Sequence, residues 1–315
     1  MKNQLVSICI PNYNNEEYIG DAIQSALNQT YKNIEVIVVD NDSSDKSWEV
    51  ISAFKDSRLV CYKNDRNIGM YPNFMLAASK GKGEFIKFIC ADDWIDQYYV
   101  EKSLNHFIND NIGMATSSQI KSRNGIKVGY RNIPTNRSHV AEPSEVFNYF
   151  LNNMNPIGNP TRVIIRMDVF RKMNGFKDTI KYCNDYDLWM RISKVYNVAF
   201  IKEYLSFERK HNTQNTIYYN SSGEDIKYAI KTWTDNYVDL NNNEKHRILS
   251  KAFFPFYYNS FVYFKKTGEI SRLDNVKFHF FNFTPANNFK LMLLTKARIL
   301  YLFERIKYII IMLLK

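Results

Sequence analysis

The stretch Phe85-Ile86-Lys87-Phe88-Ile89-Cys90-Ala91-Asp92-Asp93-Trp94 is an apolar run that closes on two adjacent carboxylates. Such a run of strand-favouring residues predicts a buried strand, and ligands of open α/β sheets sit just beyond the carboxyl ends of their strands. Asp92 and Asp93 therefore fall where a site is expected. Neighbouring carboxylates repel each other and lose hydration on burial unless a cation or a donor-rich ligand neutralises them. A divalent metal carrying phosphates meets that demand. The plainer alternative is that one of them caps the helix expected to begin near Gln97, a task Asp performs well.

Toward the N-terminus the same arrangement recurs. Leu5 to Ile10 reads as a first strand, stopped by Pro11, whose missing N–H interrupts a ladder. Ile19, Ala22, Ile23, Ala26 and Leu27 then follow helical spacing, with Asn14 and Glu17 approximating a capping box. Ile34 to Val39 is a second strand ending in Asp40-Asn41-Asp42-Ser43-Ser44-Asp45. A helix through Trp48, Ile51 and Phe54, a strand from Leu59 to Tyr62 and a helix from Met70 to Ser79 lead to the stretch quoted above. Alternating strands and helices imply crossover connections and a mainly parallel sheet. Three polar clusters, at Asn12 to Asn14, Asp40 to Asp45 and Asp92 to Asp93, are then expected on one sheet edge. No GxGxxG and no GxxxxGK[ST] loop is present, so neither a dinucleotide fold nor a P-loop is indicated.

Toward the C-terminus the pattern weakens from Thr116 to Pro160 into Asn, Ser, Arg and Gly, which predicts a partly irregular surface region. A strand at Val163 to Ile165, a helix near Val169 to Met173 and a strand-like piece from Leu205 to His211 follow. Between them lies Asn184-Asp185-Tyr186-Asp187-Leu188-Trp189-Met190-Arg191, a helix with an acidic first turn. Compensation of the helix dipole alone accounts for acids at that position.

Composition narrows the class. With 45% hydrophobic residues, 22 Tyr and 22 Phe, the chain of 315 residues reads as folded rather than disordered. The net charge of +10 is uneven: Lys245 to Lys315 carries 13 Lys/Arg against 3 Asp/Glu, so the first 244 residues balance. A neutral body with a basic, aromatic tail suggests that the tail meets an anionic partner. The four cysteines are scattered without a CxxC pair, which argues for reduced thiols rather than zinc or disulfides. Neither a signal peptide nor a run of the roughly 20 apolar residues that a membrane span needs is evident.

Taken in order, Ile10-Pro11-Asn12-Tyr13-Asn14, Asp40-Asn41-Asp42-Ser43-Ser44-Asp45, Asn67-Ile68-Gly69, Ala91-Asp92-Asp93-Trp94, Gly175-Phe176 and Asn184 to Arg191 resemble the family 2 glycosyltransferases of GT-A fold. Each motif is weak alone, and the ordered set is specific. The resemblance covers about residues 5 to 215, and implies an α/β GT-A domain at 1–215 followed by a C-terminal helical, basic-aromatic region at 216–315. It further implies transfer of one sugar, with inversion, from a nucleotide-diphosphate donor, with UDP-sugars favoured, and with Mn2+ or Mg2+ on the diphosphate. By position, Pro11 and Tyr13 line the base pocket, and Asp40, assisted by Asp42, meets the base edge. Asn67 and Ala91 belong to the donor side, Asp92 contacts the metal, and Asp185 is the general base. His211 matches a place where relatives often carry a metal or diphosphate ligand, although a lone His is more often structural.

Two residues depart from the family pattern. Cys90 replaces the first Asp of the DxD motif, and Asn184 replaces a common Glu before the base. The QxxRW motif of processive synthases is absent, which implies one sugar per encounter. The expected setting is surface-polysaccharide (O-antigen or capsule) synthesis in the cytoplasm, on the inner face of the cell membrane. The expected partners are the donor, a lipid-linked glycan acceptor and an anionic membrane surface, with no nucleic acid. A nucleotidyltransferase leaves the Asp185 helix without a role. A catalytically dead sugar-nucleotide-binding scaffold is the alternative that Cys90 and Asn184 favour.

Overall fold

The computed structural model describes residues 4–153, 155–211 and 224–236. Contacts divide the chain into two units, one of Met1–Phe150 with Asn155–Asn212 and one of Leu151–Met154 with Thr213–Lys315. In the second, the described part beyond residue 212 is a helix at Glu224–Asn236. The basic, aromatic tail from Lys245 onward lies outside the described residues, and so does the attachment role expected of it. Among the described residues no helix is long and apolar enough to cross a membrane.

The first unit opens with β1 (Val6–Asn12), α1 (Ile19–Leu27), β2 (Ile34–Asp40), α2 (Ser47–Ala53), β3 (Leu59–Lys63), α3 (Met70–Lys80) and β4 (Phe85–Phe88). β1 pairs in parallel with both β2 and β4, and β2 with β3. Val6, Ile8 and Ile10 join Ile19, Ala22, Ile23 and Ala26 of α1 in one fully buried cluster, as the period of two on a strand meets that of 3.6 on a helix. On these elements the expected spans hold within a residue or two. Pro11 differs: it lies within β1, opposite Val39. The ladder to β4 ends at Cys9 and Phe88, so no N–H is needed at Pro11 on that side. The capping box also does not form. Asn14 takes a left-handed conformation, φ 52°, and its Oδ1 accepts the Ser44 N–H at 2.9 Å instead.

Beyond β4 come β5 (Trp94–Ile95), α4 (Tyr99–Leu104), β6 (Ile112–Arg123), β7 (Ile126–Arg131), β8 (His139–Ala141) and α5 (Pro143–Asn153). A 3-10 turn at Pro160–Arg162, β9 (Val163–Arg166), α6 (Met167–Lys172), α7 (Asn184–Ser193) and β10 (Asn197–Arg209) complete the unit. The sheet order is β3-β2-β1-β4-β9-β6-β10-β5, with β7 on β6 and β8 on β10. β9 runs antiparallel to β4 and β6, so the sheet is parallel in its first half and mixed beyond. The irregular surface region expected from Thr116 to Pro160 is instead opened by a central strand. Thr116, Ser117, Ser118 and Gln119 are all buried, and polar side chains in a buried strand hide the hydrophobic pattern by which strands are found. Lys87, in the middle of β4, is also buried. Its Nζ bonds the Thr161 and Val163 carbonyls and lies 4.0 Å from the Tyr99 ring centroid, fixing the 3-10 turn beneath the strand end.

Candidate active site

The ends of β1 and β2 form the first part of the site. Asp40 is fully buried, and its carboxylate accepts Asn12 Nδ2 at 2.7 Å, Ser43 Oγ at 2.6 Å and the Ser43 N–H at 3.1 Å. That network holds the turn after β2, in which Asp42 stands exposed at φ 60°. Pro11 is buried beside it, whereas the ring of Tyr13 is 46% exposed and open to a stacking partner. Asn67 is tied in as well: its Oδ1 accepts Asn41 Nδ2 and the Gly69 N–H, each at 2.8 Å.

The strand-end carboxylates divide into unlike halves. Asp93 is buried and accepts Thr161 Oγ1 at 2.7 Å, Asn159 Nδ2 at 3.1 Å and the Arg209 N–H at 3.0 Å. Burial, with the Asp92 carboxylate next and Glu208 beyond, holds it well above the usual carboxylate range. Asp92 is half-buried, and its Oδ2 lies 3.0 Å from His211 Nε2. Neither residue caps a helix. Cys90 Sγ and one oxygen each of Asp92 and Asp93 lie within 4.8 Å of one another. Burial, followed by the Asp93 and Asp92 charges, pushes the Cys90 thiol well up. Strand β10 brings the remaining parts. Its Phe207 stacks on Trp94 of β5 at 5.1 Å, and the Arg209 guanidinium lies 4.7 Å from Trp94 and 4.8 Å from Tyr18 while pairing with Asp21 at 2.7 Å. His211, two residues on, rests against the Tyr18 ring at 4.9 Å.

Helix α7 supplies the third part. Cys183 precedes it in a left-handed conformation, φ 60°, uncommon for a residue with a Cβ and found where a local geometry is over-determined by its surroundings. Asn184 is buried, takes the Lys177 N–H at 2.8 Å and donates to the Lys177 and Ile180 carbonyls. It staples the preceding loop to the helix. Asp187 is wholly buried between Lys177 (3.1 Å) and Arg191 (2.7 Å), a structural ion pair. Asp185 keeps partial exposure, yet the protein packed around it removes enough water to push its carboxyl up to about 6, against the lowering effects of backbone donors and Arg131. A carboxylate tuned upward and left partly open is suited to accept a proton near neutral pH.

A sequence profile described as glycosyl transferase family 2 matches residues 7–173, more than half of the chain. The chain belongs to glycosyl transferase family 2. A glycosyltransferase of Rickettsia typhi is 28% identical over 84% of this chain and 81% of its own length. The Escherichia coli UDP-Glc:alpha-D-GlcNAc-diphosphoundecaprenol beta-1,3-glucosyltransferase WfgD is 34% identical over 64% of this chain and 74% of its own. Among solved structures, Staphylococcus aureus TarS 1–349 in complex with UDP-GlcNAc superposes with a TM-score of 0.67 at 17% identity, covering 90% of this chain and 82% of that one. A mannosyltransferase of Pyrobaculum calidifontis in complex with GDP-Man and Mn2+ gives 0.56 at 12% identity, covering 96% and 87%. The fold is GT-A, and the chain is a glycosyltransferase.

In this family 2 glycosyltransferase, sequence reasoning missed the residues that hold the carboxylates. Asn159 comes from the stretch read as irregular and Thr161 from its edge, while Arg209 lies in the strand expected from Leu205 to His211 but was given no role there. Arg162 was also missed. It is fully buried, its Nε donates to the Ser117 carbonyl at 2.6 Å, and its two Nη atoms have no hydrogen-bond partner among the described residues. Gly158, at φ +100°, makes room for it: a Cβ there would come within 2.6 Å of the guanidinium. The one available signal was an Arg inside an otherwise apolar strand approach, Pro160-Thr161-Arg162-Val163-Ile164-Ile165.

Proposed function

We propose that this enzyme transfers one sugar, with inversion, from a UDP-sugar to a hydroxyl of a lipid-linked glycan acceptor, for bacterial surface polysaccharide. The observation that carries the reading is the contrast on α7: Asp187 is consumed by two cations, while Asp185, two residues earlier, is partly open with its pKa raised to about 6. Asp185 takes the proton of the acceptor hydroxyl as it attacks the anomeric carbon from the face opposite the leaving diphosphate. General base catalysis of this kind contributes roughly a hundredfold or more to rate.

On the donor side, Tyr13 stacks on the base, Pro11 closes the pocket floor, and Asn67 and Ala91 line its wall. Asp40 already accepts three protein donors, but a carboxylate has about four lone-pair sites, so an acceptor position remains for a base N–H, with Asp42 beside it. Asp92 Oδ2 and His211 Nε2, 3.0 Å apart, are a carboxylate and an imidazole converging on one point, which fits Mn2+ and, less selectively, Mg2+. When bound, the cation supplies charge neutralisation at the departing diphosphate. WfgD, named for a diphosphoundecaprenol acceptor, supports a lipid-linked acceptor, and the proposed place of action is the inner membrane face.

The test is Mn2+ and UDP binding by paramagnetic resonance alongside transfer to a lipid-linked acceptor. Asp92→Ala is expected to lose both, and His211→Ala to weaken Mn2+ binding. Full Mn2+ binding and turnover in Asp92→Ala refute the metal assignment.

A further inference from the structure

Between Asn111 and Ala141 the chain carries five Lys/Arg, at 121, 123, 127, 131 and 137, and no Asp or Glu. Most of that charge lies on the β6–β7 hairpin. Asn124 and Gly125 join its strands with φ values of 51° and 76°, the left-handed pair that closes a tight two-residue turn. Among the described residues β7 pairs with β6 and with no other strand, so there the ribbon is an edge. Edges are ordinarily protected by charge, yet this one exposes Ile126 (70%), Val128 (55%) and Tyr130 (48%) between its cations.

The register shows how these side chains are distributed. Lys121 stands opposite Gly129 and Ser122 opposite Lys127, so Val128 is a one-residue bulge. Tyr130 pairs with Ile120 and Ile126 with Arg123, positions an odd number apart on β6 and therefore on opposite faces. Ile126 and Val128 thus lie next to the turn, whereas Tyr130 lies toward the base beside Arg131 and packs on the Tyr204 ring at 5.0 Å. Apolar Ile126 and Val128 with interleaved Lys121, Arg123 and Lys127 match an anionic interface, where apolar and basic groups are both favoured.

The base of the same ribbon reaches the active site. Arg131 pairs with Gln119, whose Nε2 donates to Asn159 Oδ1 at 3.1 Å, and Asn159 in turn donates to Asp93. From Arg131 to Ile126 the strand advances five residues, about 17 Å. We propose that the β6–β7 tip inserts into the headgroup layer of an anionic membrane and sets the carboxylate site roughly that far above it. The inference rests on the membrane-borne acceptor proposed above and names the surface of the catalytic unit that meets the lipid.

The experiment uses the full chain without substrates. In Val128→Trp, emission beyond that of the native tryptophans shifts to shorter wavelength on adding phosphatidylglycerol vesicles. It is quenched by brominated lipid and reverts in high salt. Vesicle recovery of the Ile126→Ser/Val128→Ser variant falls at least about tenfold, with unchanged circular dichroism and Mn2+ binding. Absence of the emission shift, an equal shift on neutral phosphatidylcholine, or a vesicle-free shift accompanied by dimerisation in sedimentation each overturns the proposal. Asp185→Asn must insert as wild type does, so loss of the catalytic reading and loss of this one are separately visible.

Discussion

The carboxylates at the end of β4 and those at the start of α7 solve the same problem in different ways. Each place has one acid that the fold consumes and one that it leaves partly open. After β4 the consumed acid is Asp93, held by the neutral donors Thr161, Asn159 and the Arg209 N–H. On α7 it is Asp187, held by the cations Lys177 and Arg191. Neutral donors leave the burial penalty largely in place, and Asp93 stays well above the usual carboxylate range. The open members differ too. Asp92 faces an imidazole and suits a cation, whereas Asp185 faces protein that excludes water and suits a proton. What surrounds an acid, more than the acid itself, assigns its task.

The largest effect is expected of Asp185→Asn, which keeps size and removes the proposed base. Turnover is expected to fall by about a hundredfold or more with donor affinity little changed, as measured by steady-state kinetics and donor titration. If Asp187→Asn were the inactive but stable variant, the two acids of α7 would have to exchange roles. Next in size, Asp187→Asn leaves Lys177 and Arg191 without their buried counter-charge and should destabilise the fold by about 3 kcal/mol, seen as a lowered urea midpoint. Thr161→Val removes the hydroxyl that bonds both Asp93 and the Cys90 N–H, and should cost on the order of 1–3 kcal/mol by the same measurement. An unchanged midpoint would show that Asp93 does not depend on its neutral donors.

The smallest effect concerns pH. Asp185 has a folded pKa of about 6 against an ordinary 3.8, so the native state holds the proton more tightly than the unfolded chain. Its contribution is therefore most favourable below the ordinary value and is lost as pH rises from about 4 to about 6. Asp185→Asn should flatten that slope and be more stable than wild type at pH 7 by on the order of 1–2 kcal/mol, while less active. In the native enzyme kcat/KM should rise with pH through about 6, and a pH-independent rate below that value would remove Asp185 from the role of base.

Much of the first half was legible in the residues. Apolar runs at Ile34 to Val39 and Phe85 to Phe88, and helical spacing at Ile19 to Leu27, follow periods set by backbone geometry, so local sequence sufficed for the elements. The order of short motifs from Pro11 to Arg191 likewise sufficed for the family, because chemistry at a sheet edge demands particular residues at particular strand ends. Tertiary structure alone decided the rest. Thr116 to Gln119 became a buried strand because a mixed sheet surrounds them, and no local pattern encodes that company. Asp93 and Asp187 became structural, and Asp92 and Asp185 remained open, through partners 66 or more residues away in one case and on a neighbouring loop in the other. Burial and hydrogen bonding are properties of a place in space, and for adjacent acids of identical composition only the folded chain distinguishes those places.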